Sequence, residues 1–305
     1  MENNQVYLDF FIFYNWFGAV ADHCLDRSDE FYSSASTSKL HSKHLDPAKI
    51  KQGDIVFVKT DYVYDGTFQR EYLPRISEPF VLITGTSSYQ VSDGYSISSL
   101  LDSDLIIKWF CTNAPIHEKI IPLPIGFQEK ERAGGDQEAI KLAYDLKTPF
   151  EDKIDKILLP YHLIHPVDST QGRIAGEART QAINYLKSCR FVEVQTEKLP
   201  WKDYMRLLDQ YKFAACLQGI GPDIHRNYEA LSLHCIPINI KTIMENLFLF
   251  HNLPGLFLNS WEDLNEDSFG NYLNFNYNFR PADDFLKVGH HLDLIKKIQH
   301  ENRSI

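Results

Sequence analysis

The stretch from Gln218 to Leu231 gathers residue types that bind phosphate. It reads Gln-Gly-Ile-Gly-Pro-Asp-Ile-His-Arg-Asn-Tyr-Glu-Ala-Leu, follows the apolar run Phe213 to Leu217, and opens a helical pattern. Gly219 and Gly221 allow close backbone approach and unusual dihedrals. Asp223 is the predicted N-cap. His225 and Arg226 then fall in the first helical turn, where free N–H groups and the helix dipole favour an anion. Arg226 can add a two-pronged contact to a phosphate. Glu229 lies three residues beyond Arg226 and four beyond His225, on the same helix face. One turn deeper, its carboxylate is placed to accept hydrogen bonds from ribose hydroxyls. The pattern reads as a diphosphate cradle with a ribose hook. A tight strand-to-helix turn bearing a surface Arg–Glu pair is the plainer alternative, but His, Arg and Glu together on one turn favour the cradle. It is neither a dinucleotide fingerprint, which needs Gly where Ile224 stands, nor a P-loop, since no Gly-Lys-Ser/Thr follows.

Elements suited to holding such a segment recur along the chain. Ile55–Val58, Phe80–Ile83, Leu105–Ile107 leading into Trp109 and Phe110, and Ile120–Gly126 are short apolar runs bounded by turn residues. Such runs suit strands buried on both faces, as in parallel sheets covered by helices. The charged stretch from Gln128 to Pro149 reads as a connection with a helix over Gln137–Leu146. The alternation then restarts: strand Lys156–Leu159, helix Gly176–Lys187, strand Phe191–Val194, helix Trp201–Gln210, strand Phe213–Leu217, the Gly-rich turn and its helix, and strand Ile236–Ile240. Asp283–Glu301 is amphipathic and helical. This predicts an α/β chain with two Rossmann-like domains: 1–150, 151–282, and a C-terminal helix over 283–305 packing back towards the first domain. Ligands in open α/β sheets bind at the carboxyl ends of the strands.

Composition narrows the function classes. The 305 residues carry a net charge of −10, with 44% hydrophobic and 24% charged residues, as in a globular protein. No basic stripe points to nucleic acid, and the acidic balance argues against an anionic membrane surface. The 20 Phe and 16 Tyr read mainly as core. Cys24, Cys111, Cys189, Cys216 and Cys235 are odd in number and widely spaced, which fits neither a disulfide framework nor a zinc site. Reduced thiols in a cytoplasmic setting are expected. The apolar run Phe10–Ala21 is too short to span a bilayer and lacks a signal peptide's basic start; it is predicted to be a strand followed by a helix start. His41 with His44, and His162 with His165, lack a nearby third ligand, so no metal site is expected.

The Gln218–Leu231 segment resembles the donor-site motif of the exostosin-like glycosyltransferases, in which Gly-x-Gly-x-Asp-x-His-Arg-x-x-Glu-Ala-Leu is followed by Gly-x-Ile-Pro-Ile. Here the continuation is Ser-Leu-His-Cys-Ile-Pro-Ile over 232–238, with His234 where the family usually has Gly. Leu253-Pro254, Asn259-Ser-Trp261, Asp54–Asp61, Leu82–Gly85, Trp109–Asn113 and Ile121–Gly126 are similar to further landmarks, so the resemblance runs from about Asp54 to Leu264. It implies a GT-B fold, two Rossmann-like domains facing across a cleft. It implies transfer of a sugar from a nucleotide diphosphate donor, a UDP-sugar in most of the family, to a glycan hydroxyl with inversion. It implies no metal and no cofactor beyond the nucleotide-sugar itself. Donor binding then falls to Gly219, Gly221, Asp223, His225, Arg226, Glu229 and Arg179, with Arg173 read as a solvated arginine. The general base is expected at the end of an N-terminal strand: Asp61, with Asp93 second. Trp109 and Asn113 are placed by the acceptor pocket or, for Trp109, in the core. Expected partners are the donor and an oligosaccharide or glycan acceptor, with no nucleic acid and no integral membrane segment. A nucleotide-binding protein without turnover, or another sugar-nucleotide enzyme, stays open as an alternative. An NAD-dependent epimerase does not fit, since no Tyr-x-x-x-Lys occurs.

Overall fold

A computed structural model describes residues 11–13, 16–26, 45–129, 132–162 and 170–303. Two five-stranded sheets, both wholly parallel, organise the chain. The backbone divides into two compact units, Met1–Ile125 with Lys287–Ile305, and Gly126–Leu286.

In the first unit, β1 (His23–Leu25), β2 (Ile55–Lys59), β3 (Phe80–Gly85), β4 (Ile106–Thr112) and β5 (Ile120–Leu123) pair in simple sequence order. Parallel strands need crossover connections, and these are right-handed almost without exception. Strands added in one direction therefore carry every crossover on one face and leave the other to be covered from elsewhere. That is how the side chains sort. Val56, Val58, Leu82, Trp109 and Cys111 pack under the connecting segments, with Val63, Phe68, Leu73, Val91 and Leu100. Their neighbours Ile55, Phe57, Val81, Ile83 and Phe110 point the other way, onto Trp16 and Phe17 of α1 (Trp16–Val20) and Val288, Leu292 and Ile295 of the C-terminal helix. The short crossovers include α2 (Thr60–Tyr64) and α3 (Ser98–Leu101). Continuous apolar strands are thus legible as such because both faces are dry.

In the second unit, α4 (Gln137–Asp145) precedes β6 (Ile154–Leu159), α5 (Thr170–Leu186), β7 (Val192–Val194), α6 (Trp201–Leu208), β8 (Tyr211–Ala215), α7 (His225–Ser232), β9 (Ile236–Ile240), α8 (Met244–Phe250), β10 (Leu256–Leu258), α9 (Glu266–Leu273) and α10 (Arg280–Phe285). The last helix, α11 (Val288–Arg303), belongs to the first unit. The strand order is β10-β9-β8-β6-β7, so the direction of winding reverses between β6 and β8. Helices consequently cover both faces. Ala182 and Leu186 of α5 and Phe269 of α9 pack on Ile157, Phe213, Ala215 and Ile238. Tyr204, Met205 and Leu208 of α6 and Ala230 of α7 pack on Leu158, Ala214 and Cys216.

Three boundaries differ from those expected. The units part at Gly126, not after residue 150, because the face of α4 that carries Ala143 joins the α6 cluster of the second unit. The amphipathic tail is two helices, α10 and α11, and the division falls between Leu286 and Lys287. The strand expected within Phe10–Ala21 is a single antiparallel bridge, Phe11 to Lys287, among the described residues. No helix among the described residues is long and apolar enough to cross a membrane.

Candidate functional site

The strand order of the second unit reverses between β6 and β8, so the chains leaving these neighbouring strands turn to opposite faces, the place where open α/β sheets generally bind ligands. From β6 the chain continues through Pro160, Tyr161 and His162. From β8 it continues through Cys216 to Ile224 into α7. The strands end on apolar Leu159 and Ala215, and polar side chains follow within a few positions, His162 after β6 and Gln218 after β8.

Arg226 joins the two exits. Its Nε donates to Tyr204 Oη at 3.2 Å and its Nη2 to the Tyr161 carbonyl at 3.3 Å, while Nη1 meets His162 Nε2. These contacts use three of the five guanidinium N–H groups, and the other two have no hydrogen-bond partner among the described residues. His162 Nδ1 lies 2.6 Å from the Pro160 carbonyl. A carbonyl only accepts, so Nδ1 carries the proton and Nε2 is the acceptor facing Arg226. Burial, and next the Arg226 charge, push the His162 pKa down to about 2, so the ring is neutral.

Arg179 approaches from α5. Its Nε donates to the Gln218 carbonyl at 2.7 Å. A Cβ built on Gly219 would lie 3.3 Å from Arg179 Nη2, so glycine at 219 admits the guanidinium beside the backbone. Its value is close approach, not an unusual dihedral: positive φ among the described residues falls at Gly53, Gly66 and Gly126 and at four non-glycines, not at Gly219 or Gly221. Burial lowers the Arg179 pKa, and the neighbouring Arg226 charge adds to this. Two guanidiniums therefore share one sheet edge with a histidine that holds no charge.

The N-terminus of α7 enters the same edge. Its N-cap is Ile224, in extended conformation, whose side chain makes no cap hydrogen bond. This corrects the expectation for Asp223. That carboxylate turns inward, is 6% exposed, and accepts a hydrogen bond from Tyr228 Oη. His225 Nδ1 sits 2.8 Å from the Gly126 carbonyl, which fixes the ring against the start of the unit. Glu229 is 5% exposed and its Oε1 accepts from Trp201 Nε1 at 2.9 Å. The indole hydrogen-bonds this carboxylate, whose charge also acts on Arg226 at longer range, and no Arg226–Glu229 ion pair forms at contact distance among the described residues.

Arg226, Arg179 and Gly219 thus come together, with the α7 N-terminus. Asp223 serves the helix interior, and Glu229 is anchored to α6. Sequence reading missed Tyr204, Trp201 and the two carbonyls at Tyr161 and Gln218, and it weighed His162 only as a metal ligand. The usable signal was position: Tyr161 and His162 immediately follow a predicted strand at its carboxyl end. Among the described residues no group of three or more His, Cys, Asp or Glu side chains is placed to hold a metal. His41, His44 and His165 lie outside the described residues, as does the side chain of Arg173.

The remaining predicted residues belong to the first unit. Asp61 is in the first turn of α2, just past β2. Its Oδ1 lies 3.7 Å from Lys59 Nζ, and its Oδ2 is buried without a hydrogen-bond partner among the described residues. Asp93 is exposed in a turn and already accepts from Gln90 Nε2 at 2.9 Å and Ser92 Oγ at 3.4 Å. Trp109 is fully buried and its Nε1 donates to Thr84 Oγ1 at 2.9 Å, a core role. Asn113 is buried too, with a φ of 51° at the carboxyl end of β4.

No protein-family model matches the chain, and no curated protein matches it.

Proposed function

We propose that this chain is a glycosyltransferase whose second unit binds the diphosphate of a nucleotide-sugar, a UDP-sugar, and passes the sugar to a glycan hydroxyl with inversion. The observation that carries the reading is the convergence of Arg226, Arg179 and the α7 N-terminus on the β6/β8 switch point. Each of these three features attracts anions. Together they suit a diphosphate better than a single carboxylate. The Gln218–Leu231 motif and its resemblance supply the sugar-nucleotide part of the proposal. A GT-B fold of two Rossmann-like units and a cytoplasmic setting belong to the same proposal.

In this reaction the acceptor oxygen forms a bond to the anomeric carbon as the bond from that carbon to the diphosphate oxygen breaks. The leaving oxygen takes the electron pair. Arg226 and Arg179 are the groups that stabilise that charge, and arginine needs no metal to do so. The acceptor proton goes to a carboxylate base. Asp61 fits this role better than Asp93, because its Oδ2 has no other described partner whereas both oxygens of Asp93 accept within their own turn. Glu229, fixed by Trp201, is the acceptor proposed for ribose hydroxyls.

The direct test is turnover. Purified protein is incubated with UDP-sugars and oligosaccharide acceptors, and nucleotide release and product mass are followed. The proposal expects release that depends on acceptor and is lost in Arg226→Ala. Release that is equal in wild type and Arg226→Ala contradicts the assignment. Nucleotide binding without transfer to any acceptor favours the binding-protein alternative.

A further inference from the structure

His162 has a specific place in the anion site that the motif does not supply. The two nitrogens of its ring face different partners, Pro160 carbonyl on Nδ1 and Arg226 Nη1 on Nε2. The ring therefore spans from its own backbone to the guanidinium across a sequence separation of 64 residues. Arg226 is held at a second point by the adjacent Tyr161 carbonyl and at a third by Tyr204 Oη. A guanidinium fixed at three points has surrendered its rotamer freedom before any ligand arrives, and the penalty for ordering it on binding is correspondingly smaller.

We propose that His162 is a positioning residue: it accepts a hydrogen bond from Arg226 and so sets the plane in which the two remaining N–H groups meet an anionic ligand. This deepens the diphosphate-site reading and rests on it. The chemistry restricts which side chain can serve. The acceptor must be uncharged, because a carboxylate would neutralise Arg226 and compete with the ligand, and a second donor would repel it. It must also be rigid, and the Pro160 carbonyl provides that by fixing the tautomer. With Arg179 close enough to act on both Arg226 and His162, a protonated ring would be a third cation at one edge. Burial and these two arginines oppose that state.

Two measurements test the proposal. The first is long-range ¹H–¹⁵N correlation of the histidine rings, with the His162 signals assigned from their loss in His162→Gln. The expected pattern is a neutral ring protonated at Nδ1 that does not titrate between about pH 7 and about pH 4.5, whereas an ordinary histidine titrates near 6.5. A ring protonated at Nε2, or one that titrates in this range, overturns it. The second is calorimetric titration with inorganic pyrophosphate of wild type, His162→Ala and His162→Gln, each checked for an unchanged thermal midpoint. His162→Ala is expected to weaken binding about tenfold, and His162→Gln, which retains an uncharged acceptor, by less than about threefold. Equal binding by wild type and His162→Ala overturns the positioning role and leaves the anion site standing, and so does a glutamine variant no better than the alanine one. Absence of pyrophosphate binding by folded wild type overturns the anion site itself and the role of His162 with it.

Discussion

Replacing Arg303 by alanine tests how the first unit is closed. Arg303 is near the end of α11, the helix that covers the sheet face left bare by the crossovers. Its Nη2 donates to Asp54 Oδ1 at 2.6 Å and to Asp22 Oδ2 at 3.1 Å. Asp54 is at the amino end of β2, and its other oxygen accepts from His23 Nε2 and Lys51 N, each at 2.9 Å. Asp22 Oδ2 also accepts from Ile55 N and Gln299 Nε2. One guanidinium thus fastens the C-terminal helix to the amino edge of the sheet. A charge-assisted bond to a dry carboxylate contributes about 1.5–3 kcal/mol. The Arg303 side chain is 40% exposed although that of Asp54 is only 9% exposed, so the lower half of that range applies. The Asp22 bond, with both partners about 40% exposed, adds less than about 1 kcal/mol. The expected loss is about 2 kcal/mol, or a fall of about 4–8 °C in the thermal midpoint of the first unit for a domain of this size.

The pH dependence has a definite sign. Burial raises the Asp54 pKa, but the bonds from His23, Lys51 N and Arg303 outweigh it and leave the folded value below the ordinary one. Its contribution is therefore complete above the unfolded value of about 3.9 and is lost as pH falls through the folded value. Midpoints of wild type and Arg303→Ala, measured from about pH 8 to about pH 3 by calorimetry, should stay apart down to about pH 4.5 and converge below it. Equal midpoints at neutral pH, or a gap that widens in acid, would refute the account of this pin.

Three further outcomes follow from other contacts. Arg226→Lys keeps the charge but not the fork, and should weaken nucleotide diphosphate binding about 10–100-fold in calorimetry with little change in midpoint. Lys153→Met should destabilise the second unit by about 2–4 kcal/mol in chemical denaturation. Its fully buried ammonium binds the Asp209 carboxylate at 2.6 Å, and its loss leaves that charge to hydrogen bonds from the Thr148 backbone and hydroxyl and to the more distant Lys147. His234→Gly should destabilise by about 1 kcal/mol, because relief of left-handed backbone strain, worth about 1 kcal/mol, is smaller than the loss of the 2.9 Å bond to Asp283 and the stack on Phe279; a stabilised variant would contradict this.

His234 also shows what the sequence carries and what it hides. The resemblance places glycine at this position, and His234 adopts φ 51°, a left-handed conformation of the kind glycine favours. The departure in residue type is absorbed by Asp283, which arrives from α10, 49 residues on, and no local pattern announces it. The strands β2 and β3 were legible because each carries an unbroken apolar run, Ile55–Val58 and Phe80–Ile83, ended by polar or turn residues, and β9 because apolar residues stand at four of its five positions. β1 was not, since His23–Leu25 is three residues with a polar start, and β10 was not, at three residues. The cradle was half legible. Glycine, Arg226 and the helix start follow from spacing alone, but the partners of Arg226 come from 22 to 65 residues away and depend on strand order. Asp223 misled because cap preference is a local rule, and its carboxylate was drawn inward by Tyr228.

The most direct measurement is calorimetric titration of wild type and Arg226→Ala with UDP, GDP and CMP, in the presence of EDTA. The account predicts that one nucleoside diphosphate, UDP, binds the wild type without metal and that Arg226→Ala loses most of this affinity. Folded protein that binds none of the three, or an Arg226→Ala variant that binds as well as wild type, would contradict the placement of the donor at the β6/β8 switch point.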